Sequence, residues 1–380
     1  MHVGVISPEF PPDIGGIETY AYEFCRELAS RSHRVTVFTQ RHSKGEVEVP
    51  GLAVIPALRM SRPRDREILD DGSVDVWHVM NAAYAWLALE TKAVVVSVHG
   101  NDFLKPYLGV ARPRFDRLPW LWRSSVVRPK IENALGLWRT VGLMARALPR
   151  AAHIYANSRY TEQAFLKKYP ACRGITSAAM VGVGAGFFAD ALPGGALGTS
   201  NLITVCRLAE PRKNVDRVLE ALARLKDRYR FSYTIVGDGP LRSGLERLSA
   251  HLGLADRVRF AGFVNPTTLR SLLRESDLFA LASSVRRGSH EGFGIAYLEA
   301  NACGVPVLAA RLAGAVEAVE EGASGFFVDA PDVASIAAAL ERFFSQKVLF
   351  DRAACRAFAA RFTWKRVVDH ALGYYPVGGF

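Results

Sequence analysis

Two glutamates bracket a glycine-containing turn in the segment HEGFGIAYLEA, at positions 291 and 299. Carboxylates accept hydrogen bonds from neighbouring hydroxyls, and proteins commonly hold sugars and riboses in this way. Gly292 and Gly294 precede an apolar run, where the bare N–H groups at a helix start can bind phosphate or sugar oxygens. The alternative is a Glu291 favoured only by the helix dipole and a Glu299 that faces solvent. Against it, Glu299 lies between the apolar runs IAYL and ANACGVPVLAA, where an unpaired carboxylate is costly.

A pair of cations occurs earlier in the same half of the chain. Arg207 follows a predicted strand and Lys213 precedes the next helical pattern, so both are expected beside a helix N-terminus. Such a pair could hold a diphosphate without a metal ion. The alternative, two solvated loop cations, stays open from these residues alone. Gly237, in VGDGP, allows close backbone approach by a ligand, although any strand-to-helix turn needs similar residues.

Alternating strand-like and helix-like segments must position these side chains. Strands are predicted at 2–7, 34–39, 76–79, 94–98 and 153–156, and then at 202–206, 232–237, 257–262, 277–283, 305–310 and 325–328. This alternation predicts parallel sheets with helices on both faces. The aperiodic segment 186–201 is typical of an interdomain linker. Two such domains facing each other would place a ligand at the carboxyl ends of the strands, in a central cleft.

Composition and charge narrow the classes of protein. The five cysteines are dispersed, which argues against a disulfide framework and a zinc site and favours a reducing cytosol. We expect neither a secretory signal nor a membrane-spanning helix. The net charge of +11 favours an anionic partner, and segment 103–150 carries ten Lys or Arg against two acidic residues, with three tryptophans. That segment predicts either a membrane-surface contact or a solvated basic insertion.

The order of RLAEPRKN, VGDGP, RVRFAGFV, DLFALASS and EGFGIAYLEANACGVPVLA resembles the donor-binding half of the retaining family 4 glycosyltransferases. Their GT-B fold has two Rossmann-like, doubly wound parallel-sheet domains. PEFPPDIGGIETY is similar to the family's N-terminal glycine loop, VSVHGND to its loop with a sugar-contacting histidine, and FTWKRVVDHALGYY to its last helix, which returns to the first domain. The resemblance thus covers nearly the whole chain and implies domains at 1–188 and 199–361, with a returning helix at 362–380.

The resemblance also implies roles for individual residues. Arg207 and Lys213 would neutralise the donor diphosphate, Glu291 would hold hydroxyls of the transferred sugar, and Glu299 would hold the ribose. Catalytic positions are implied for His99, Asp102, Arg207, Lys213 and Glu291. Further donor-binding positions are implied at Gly15, Gly16, Gly237, Phe263, Val264, Gly292, Phe293, Gly294 and Ile295.

The residues selected in the first domain have alternative roles. Gly15 and Gly16 could form a mobile lid or simply a strand-to-helix turn, and His99 could contact a sugar or be structural.

The chain departs from the family pattern at two places. Asn214 stands where family members often have Gly, and the loop SSVRRGSH is longer and more basic than the shortest versions of that loop in the family. Both departures bear on which donor is used.

The resemblance implies retaining transfer of a hexose from a nucleotide diphosphate sugar, with no other cofactor and no metal. GDP-mannose is the first expectation and a UDP-hexose the second. The acceptor would be a glycan or lipid-linked hydroxyl in surface polysaccharide, lipopolysaccharide or glycolipid synthesis. The protein would be cytoplasmic, or peripheral on the inner face of the cytoplasmic membrane. Two alternatives are a nucleotide-sugar epimerase of the same fold and a non-catalytic protein that binds a nucleotide sugar or an anionic surface. No nucleic-acid partner is expected, because no known binding module matches.

Overall fold

The computed structural model describes residues 1–12, 15–40, 49–69, 72–91, 93–106, 108, 127–189, 199–346 and 349–376. The chain forms two compact units, one comprising Met1–Met180 with Lys365–Phe380 and the other Val181–Trp364. The middle of the predicted linker, residues 190–198, lies outside the described residues. Among the described residues, no helix is long and apolar enough to cross a membrane.

The first unit contains a parallel sheet of seven strands. They are β1 (His2–Ile6), β2 (Arg34–Gln40), β3 (Leu52–Leu58), β4 (Val76–Val79), β5 (Val94–Val98), β6 (His153–Ala156) and β7 (Thr176–Ala178). Their order in the sheet is β3-β2-β1-β4-β5-β6-β7, and every pairing is parallel. The α-helices are α1 (Gly16–Ser30), α2 (Arg62–Ile68), α3 (Asn101–Leu104), α4 (Val127–Ala147) and α5 (Arg159–Lys168), and Ala82–Leu89 is a 3₁₀ helix. The apolar runs of β1, β4 and β5 are buried throughout, as strands covered on both faces require.

Two strands of this sheet, β3 and β7, were not predicted. β3 contains Pro56, which cannot donate a ladder hydrogen bond, and the strand lies at the sheet edge, where a proline is tolerated. β7 has only three residues, at the opposite edge, and is too short to show a periodic pattern. The proline in β3 and the short length of β7 therefore explain why the sequence pattern missed both strands.

The second unit contains a parallel sheet of six strands. They are β8 (Ser200–Val205), β9 (Phe231–Val236), β10 (Val258–Gly262), β11 (Leu278–Leu281), β12 (Val307–Ala310) and β13 (Gly325–Val328). Their order is β10-β9-β8-β11-β12-β13. The helices are α6 (Val215–Ala223), α7 (Arg242–His251), α8 (Pro266–Arg274), α9 (Ile295–Ala302), α10 (Val333–Phe344) and α11 (Arg352–Ala359). All six strands were predicted from the sequence, and the fold prediction of two Rossmann-like domains is confirmed.

The last helix, α12 (Trp364–Leu372), and residues 373–376 after it are anchored to the sheet of the first unit. A hydrogen bond of 2.6 Å joins the Tyr375 hydroxyl to Nδ1 of the buried His78 on β4. The Tyr155 hydroxyl on β6 donates to the carbonyl oxygen of Ala371 at 2.8 Å. Burial lowers the pKa of His78 to about 3, so the imidazole is neutral and can share both nitrogens with hydroxyl groups.

Candidate functional site

The loop that follows β8 presents the predicted cations of the second unit. Arg207 is exposed at the start of the loop, and Pro211–Lys213 forms one 3₁₀ turn. Asn214 then adopts the left-handed conformation, with φ 53° and ψ 34°, and α6 begins at the next residue. This path brings the side chain of Lys213 to the segment after β11, where it contacts Glu291.

Glu291 receives hydrogen bonds from three side chains. Its Oε2 atom lies 2.6 Å from Nζ of Lys213, 3.4 Å from an Nη atom of Arg212 and 3.2 Å from Oγ of Ser283. Burial alone would raise the pKa of this carboxyl group, but the charges of Lys213 and Arg212 outweigh it and lower the pKa to about 2. Glu291 is therefore a fixed, ionised acceptor over the whole physiological pH range.

Arg212 is part of this group, although the sequence reasoning did not select it. Its guanidinium is buried and donates through Nε to Glu210 at 2.6 Å and to the hydroxyl of Ser289 at 2.8 Å. It thus connects the loop after β8 to the segment that carries Glu291. A signal was present in EPRKN, where an arginine lies between a proline and Lys213, but an adjacent pair of cations in a loop resembles ordinary solvated charge.

The turn from Gly292 to Gly294 depends on the absence of side chains. Gly294 has φ +101°, and a Cβ atom there would lie 2.3 Å from the ring of Tyr297. A Cβ atom on Gly314 would lie 2.0 Å from the carbonyl oxygen of Gly292, and the Gly314 N–H donates to the Glu291 carbonyl at 3.0 Å. Phe293 is buried below the turn. Close backbone packing therefore fixes the path that leads from Glu291 into α9.

The other donor-binding residues predicted in the second unit either follow strands of its sheet or lie in α9. Gly237 follows β9 with φ +123°, and a Cβ atom there would lie 2.0 Å from the carbonyl oxygen of Cys206. Phe263, directly after β10, is 52% exposed, and Val264 beside it is half-buried. Ile295 is the first residue of α9, and Glu299, within that helix, is half-buried rather than enclosed in the core. The structure brings Lys213 and Glu291 into contact.

The first-unit residues lie at the carboxyl end of β5. Nε2 of His99 is buried and makes no hydrogen bond with the part of the chain that the structure describes, while the ring packs edge-on against Tyr20 at 4.6 Å. Burial lowers the pKa of His99 to about 4, so the imidazole is neutral. Asp102 accepts the backbone N–H groups of His99 at 2.9 Å and Gly100 at 2.8 Å. The carboxylate thus orders the turn that holds His99.

The glycine loop of the first unit is described from Gly15 onward. Gly15 is extended, with φ −179°, and precedes α1, and no atom lies within 4 Å of the position that a Cβ on Gly16 would take. Backbone conformation therefore does not require a glycine at position 15, and packing among the described residues does not require one at position 16. Within the described residues, no group of three or more His, Cys, Asp or Glu side chains is arranged to hold a metal ion.

Comparisons with known proteins agree with this architecture. Residues 194–361 match the family model Glycosyl transferases group 1, and residues 14–175 match Glycosyltransferase Family 4. The chain is 28% identical, over 88% of its length and 87% of the relative, to the GDP-mannose-dependent alpha-(1-6)-phosphatidylinositol monomannoside mannosyltransferase of Mycolicibacterium smegmatis.

Solved structures show the same fold at low identity. Sucrose-phosphate synthase from Thermosynechococcus elongatus matches with a TM-score of 0.76 and 18% identity, over 98% of each chain. Anabaena HepE, in complex with UDP and glucose, matches with a TM-score of 0.71 and 19% identity, again over 98% of each chain. From the two family models and the shared fold, the chain belongs to glycosyltransferase family 4 and has the two-domain GT-B fold.

Proposed function

We propose that this glycosyltransferase moves mannose from GDP-mannose to a hydroxyl of a glycan or lipid-linked acceptor, with retention at the anomeric carbon and without a metal ion. The Mycolicibacterium smegmatis relative, a GDP-mannose-dependent alpha-(1-6)-phosphatidylinositol monomannoside mannosyltransferase, supports this donor and a lipid-linked acceptor. A UDP-hexose is the second candidate donor, since the Anabaena structure contains UDP and glucose.

The observation that carries the proposal is the contact of 2.6 Å between Lys213 and Glu291. An ionised carboxylate is a strong acceptor for sugar hydroxyls, and a lysine is a compact charge for a diphosphate. Because the two groups touch, a diphosphate held by Lys213 places the attached sugar within reach of Glu291. The N-terminus of α9, four residues after Glu291, adds a favourable electrostatic environment for the anionic leaving group.

In this mechanism the protein supplies positioning and charge stabilisation. The acceptor hydroxyl attacks on the face from which the diphosphate leaves, and the leaving phosphate takes the proton. Arg207, Lys213 and the α9 N-terminus stabilise the negative charge that develops on the diphosphate. A double displacement would instead need a carboxylate nucleophile close to the anomeric carbon.

The acceptor side of the proposal rests on His99. The imidazole of His99 is neutral, and its buried Nε2 has no hydrogen-bond partner among the described residues. Such a nitrogen can donate to, or accept from, a sugar hydroxyl. Asp102 acts through the backbone as a positioning residue for that imidazole. We expect Asp102→Ala to weaken acceptor use more than donor binding.

We further propose that α4 contacts the cytoplasmic face of an anionic membrane. Trp138 is 73% exposed and Leu137 is 40% exposed, and Arg139 and Arg146 are exposed on the same helix. Residues 109–126 of the predicted basic segment, with its other tryptophans, lie outside the described residues. Trp138→Ala should reduce sedimentation with anionic vesicles at low salt, whereas Leu349→Ala, at a 76% exposed apolar position in the second unit, should not. Equal sedimentation of wild type and Trp138→Ala would contradict this surface.

The donor is tested by calorimetric titration with GDP-mannose, UDP-glucose and an ADP-sugar. We expect GDP-mannose to bind most tightly, and both Glu291→Ala and Lys213→Ala to weaken binding by about tenfold or more. Arg228→Ala, in an exposed ion pair of the same unit, is the matched control and should bind as wild type does. If the variant at Glu291 or at Lys213 kept full affinity and full transfer activity, the substituted residue would not have the role proposed for it.

Incubation without acceptor separates transfer from the other activities of this fold. A transferase leaves GDP-mannose largely intact until an acceptor hydroxyl is supplied, whereas an epimerase converts the nucleotide sugar alone. Appearance of a second nucleotide sugar in the acceptor-free reaction would favour the epimerase. Binding without turnover, with a panel of mannosylated lipid acceptors present, would favour a non-catalytic binding protein.

A further inference from the structure

Asn214 occupies the junction between the 3₁₀ turn that carries Lys213 and helix α6. Its backbone is left-handed, with φ 53°, which asparagine tolerates better than most side chains. As the residue before a helix it could cap the first turn, yet its side chain makes no such bond. The side chain is 1% exposed and points across to the segment that follows β11. Its amide therefore serves a purpose other than helix capping.

The amide nitrogen of Asn214 donates two hydrogen bonds. One goes to the carbonyl oxygen of Ala282 at 2.6 Å, and the other goes to the hydroxyl of Ser284 at 2.7 Å. A carbonyl oxygen can only accept, so the orientation of the amide group is determined by its partner. Ser284 in turn donates its backbone N–H to the carbonyl oxygen of Arg212 at 2.7 Å. Three hydrogen bonds thus join 212–214 to 282–284.

Ser283 lies between the two anchored residues and donates to Glu291. Lys213 lies next to Asn214 and donates to the same oxygen atom. These two of the three side chains that donate to Glu291 therefore come from two segments whose relative position depends on the amide of Asn214. A change of about 1 Å in such an arrangement is enough to reduce binding or catalysis by up to about a hundredfold.

We infer that Asn214 is a positioning residue for the nucleotide-sugar substrate. Its amide joins the two loops, and it therefore sets where Lys213 lies relative to Glu291. The inference rests on the proposed function, in which Lys213 holds the diphosphate and Glu291 the sugar. Asn214 need not touch the donor itself. Its effect should therefore pass through Lys213 and disappear when the Lys213 amine is absent.

A double-mutant cycle tests this coupling, with GDP-mannose affinity measured by calorimetry on the full chain. Asn214→Gly keeps a residue that accepts the left-handed backbone but removes both hydrogen bonds. In the wild-type background we expect it to weaken GDP-mannose binding by about tenfold, and in the Lys213→Ala background by less than about twofold. Ser32→Gly, at an exposed position with φ 62° in the first unit, is the matched backbone control and should bind as wild type does.

A second variant distinguishes loss of the Asn214 contacts from a folding defect. Ser284→Ala removes one of the two acceptors of the Asn214 amide, and the same cycle with Lys213→Ala should show a smaller coupling in the same direction. Equal weakening by Asn214→Gly in both backgrounds, or no weakening in either, would overturn the inference while Lys213 keeps its role. A Lys213→Ala protein that binds GDP-mannose as wild type does would instead reject the proposed function, and with it the inference.

Discussion

The ion pairs of Glu291 predict how the stability of the second unit responds to acid. The pKa of this carboxyl group is lowered from its ordinary value of 4.5 to about 2, against the effect of its burial, by Lys213 and Arg212. In an unfolded chain both cations are distant, so the ordinary pKa applies. Folding therefore favours the ionised form, and that preference contributes to the free energy of unfolding.

The magnitude follows from the pKa difference. At about 1.4 kcal/mol per pKa unit, the lowering corresponds to about 3 kcal/mol of stability. Because the folded pKa is the lower one, this contribution is complete well above pH 4.5 and is lost as the pH falls towards 2. About 1 kcal/mol should already be lost at pH 3.5.

The assay is urea unfolding of the wild type and of Glu291→Gln, between pH 7 and pH 3. Glutamine keeps the size of the side chain but carries no charge, so Lys213 and Arg212 both lose their ion pair with residue 291, although Arg212 keeps its pair with Glu210. We expect Glu291→Gln to be less stable by about 3 kcal/mol at pH 7, with a smaller difference at pH 3.5. Since every other titrating group is common to the two proteins, its contribution cancels in the difference.

A control and a refuting outcome complete this prediction. Glu341→Gln, which removes a carboxylate from the exposed pair with Arg228, should change the free energy of unfolding by less than about 1 kcal/mol at pH 7. A difference between wild type and Glu291→Gln that stays constant from pH 7 to pH 3 would show that Glu291 is not held as a strongly stabilised carboxylate, and the reasoning would fail.

Three further predictions concern backbone and core. Gly294→Ala combines φ +101° with a contact of 2.3 Å to the Tyr297 ring, so we expect a lower thermal unfolding midpoint and at least about tenfold weaker GDP-mannose binding; unchanged affinity would contradict the need for this turn. Gly237→Ala would place its Cβ against the Cys206 carbonyl and should lower the unfolding midpoint, whereas Gly244→Ala, where no atom lies within 4 Å, should not. Tyr375→Phe leaves Nδ1 of His78 without its hydroxyl partner and should cost about 1–3 kcal/mol in urea unfolding, and a change below about 0.5 kcal/mol would show that this hydrogen bond does not anchor the C-terminal segment.

The central strands of both sheets could be predicted because each is a short apolar run buried on both faces. β4, β5, β6 and β13 begin and end where the sequence pattern indicates. β3 was not predicted, because Pro56, which an edge strand tolerates, interrupts its apolar run. Local pattern thus locates uninterrupted apolar runs, the edge strand β13 included, and misses a strand that a proline interrupts.

The candidate site was predicted in part. Residue type and position after a strand selected both Lys213 and Glu291, and the structure places the two side chains in contact, since carboxyl ends of parallel strands meet at one edge of the sheet. Their roles in donor binding stay predictions. Arg212 and Asn214 were not selected as site residues. Their importance comes from partners 68 to 79 positions away along the chain, and no local pattern records such partners.

By itself, the sequence determined the two-domain α/β architecture and the family, because apolar runs and glycine turns act locally and recur in a specific order. Only the tertiary structure decided which polar groups touch. Burial removes water from Glu291, so its charge must be balanced by whatever cations the fold brings close, and these come from a separate loop. The two glutamates of HEGFGIAYLEA, alike in sequence, thereby differ in setting: one lies before the turn and is ion-paired with two cations, and the other lies within α9.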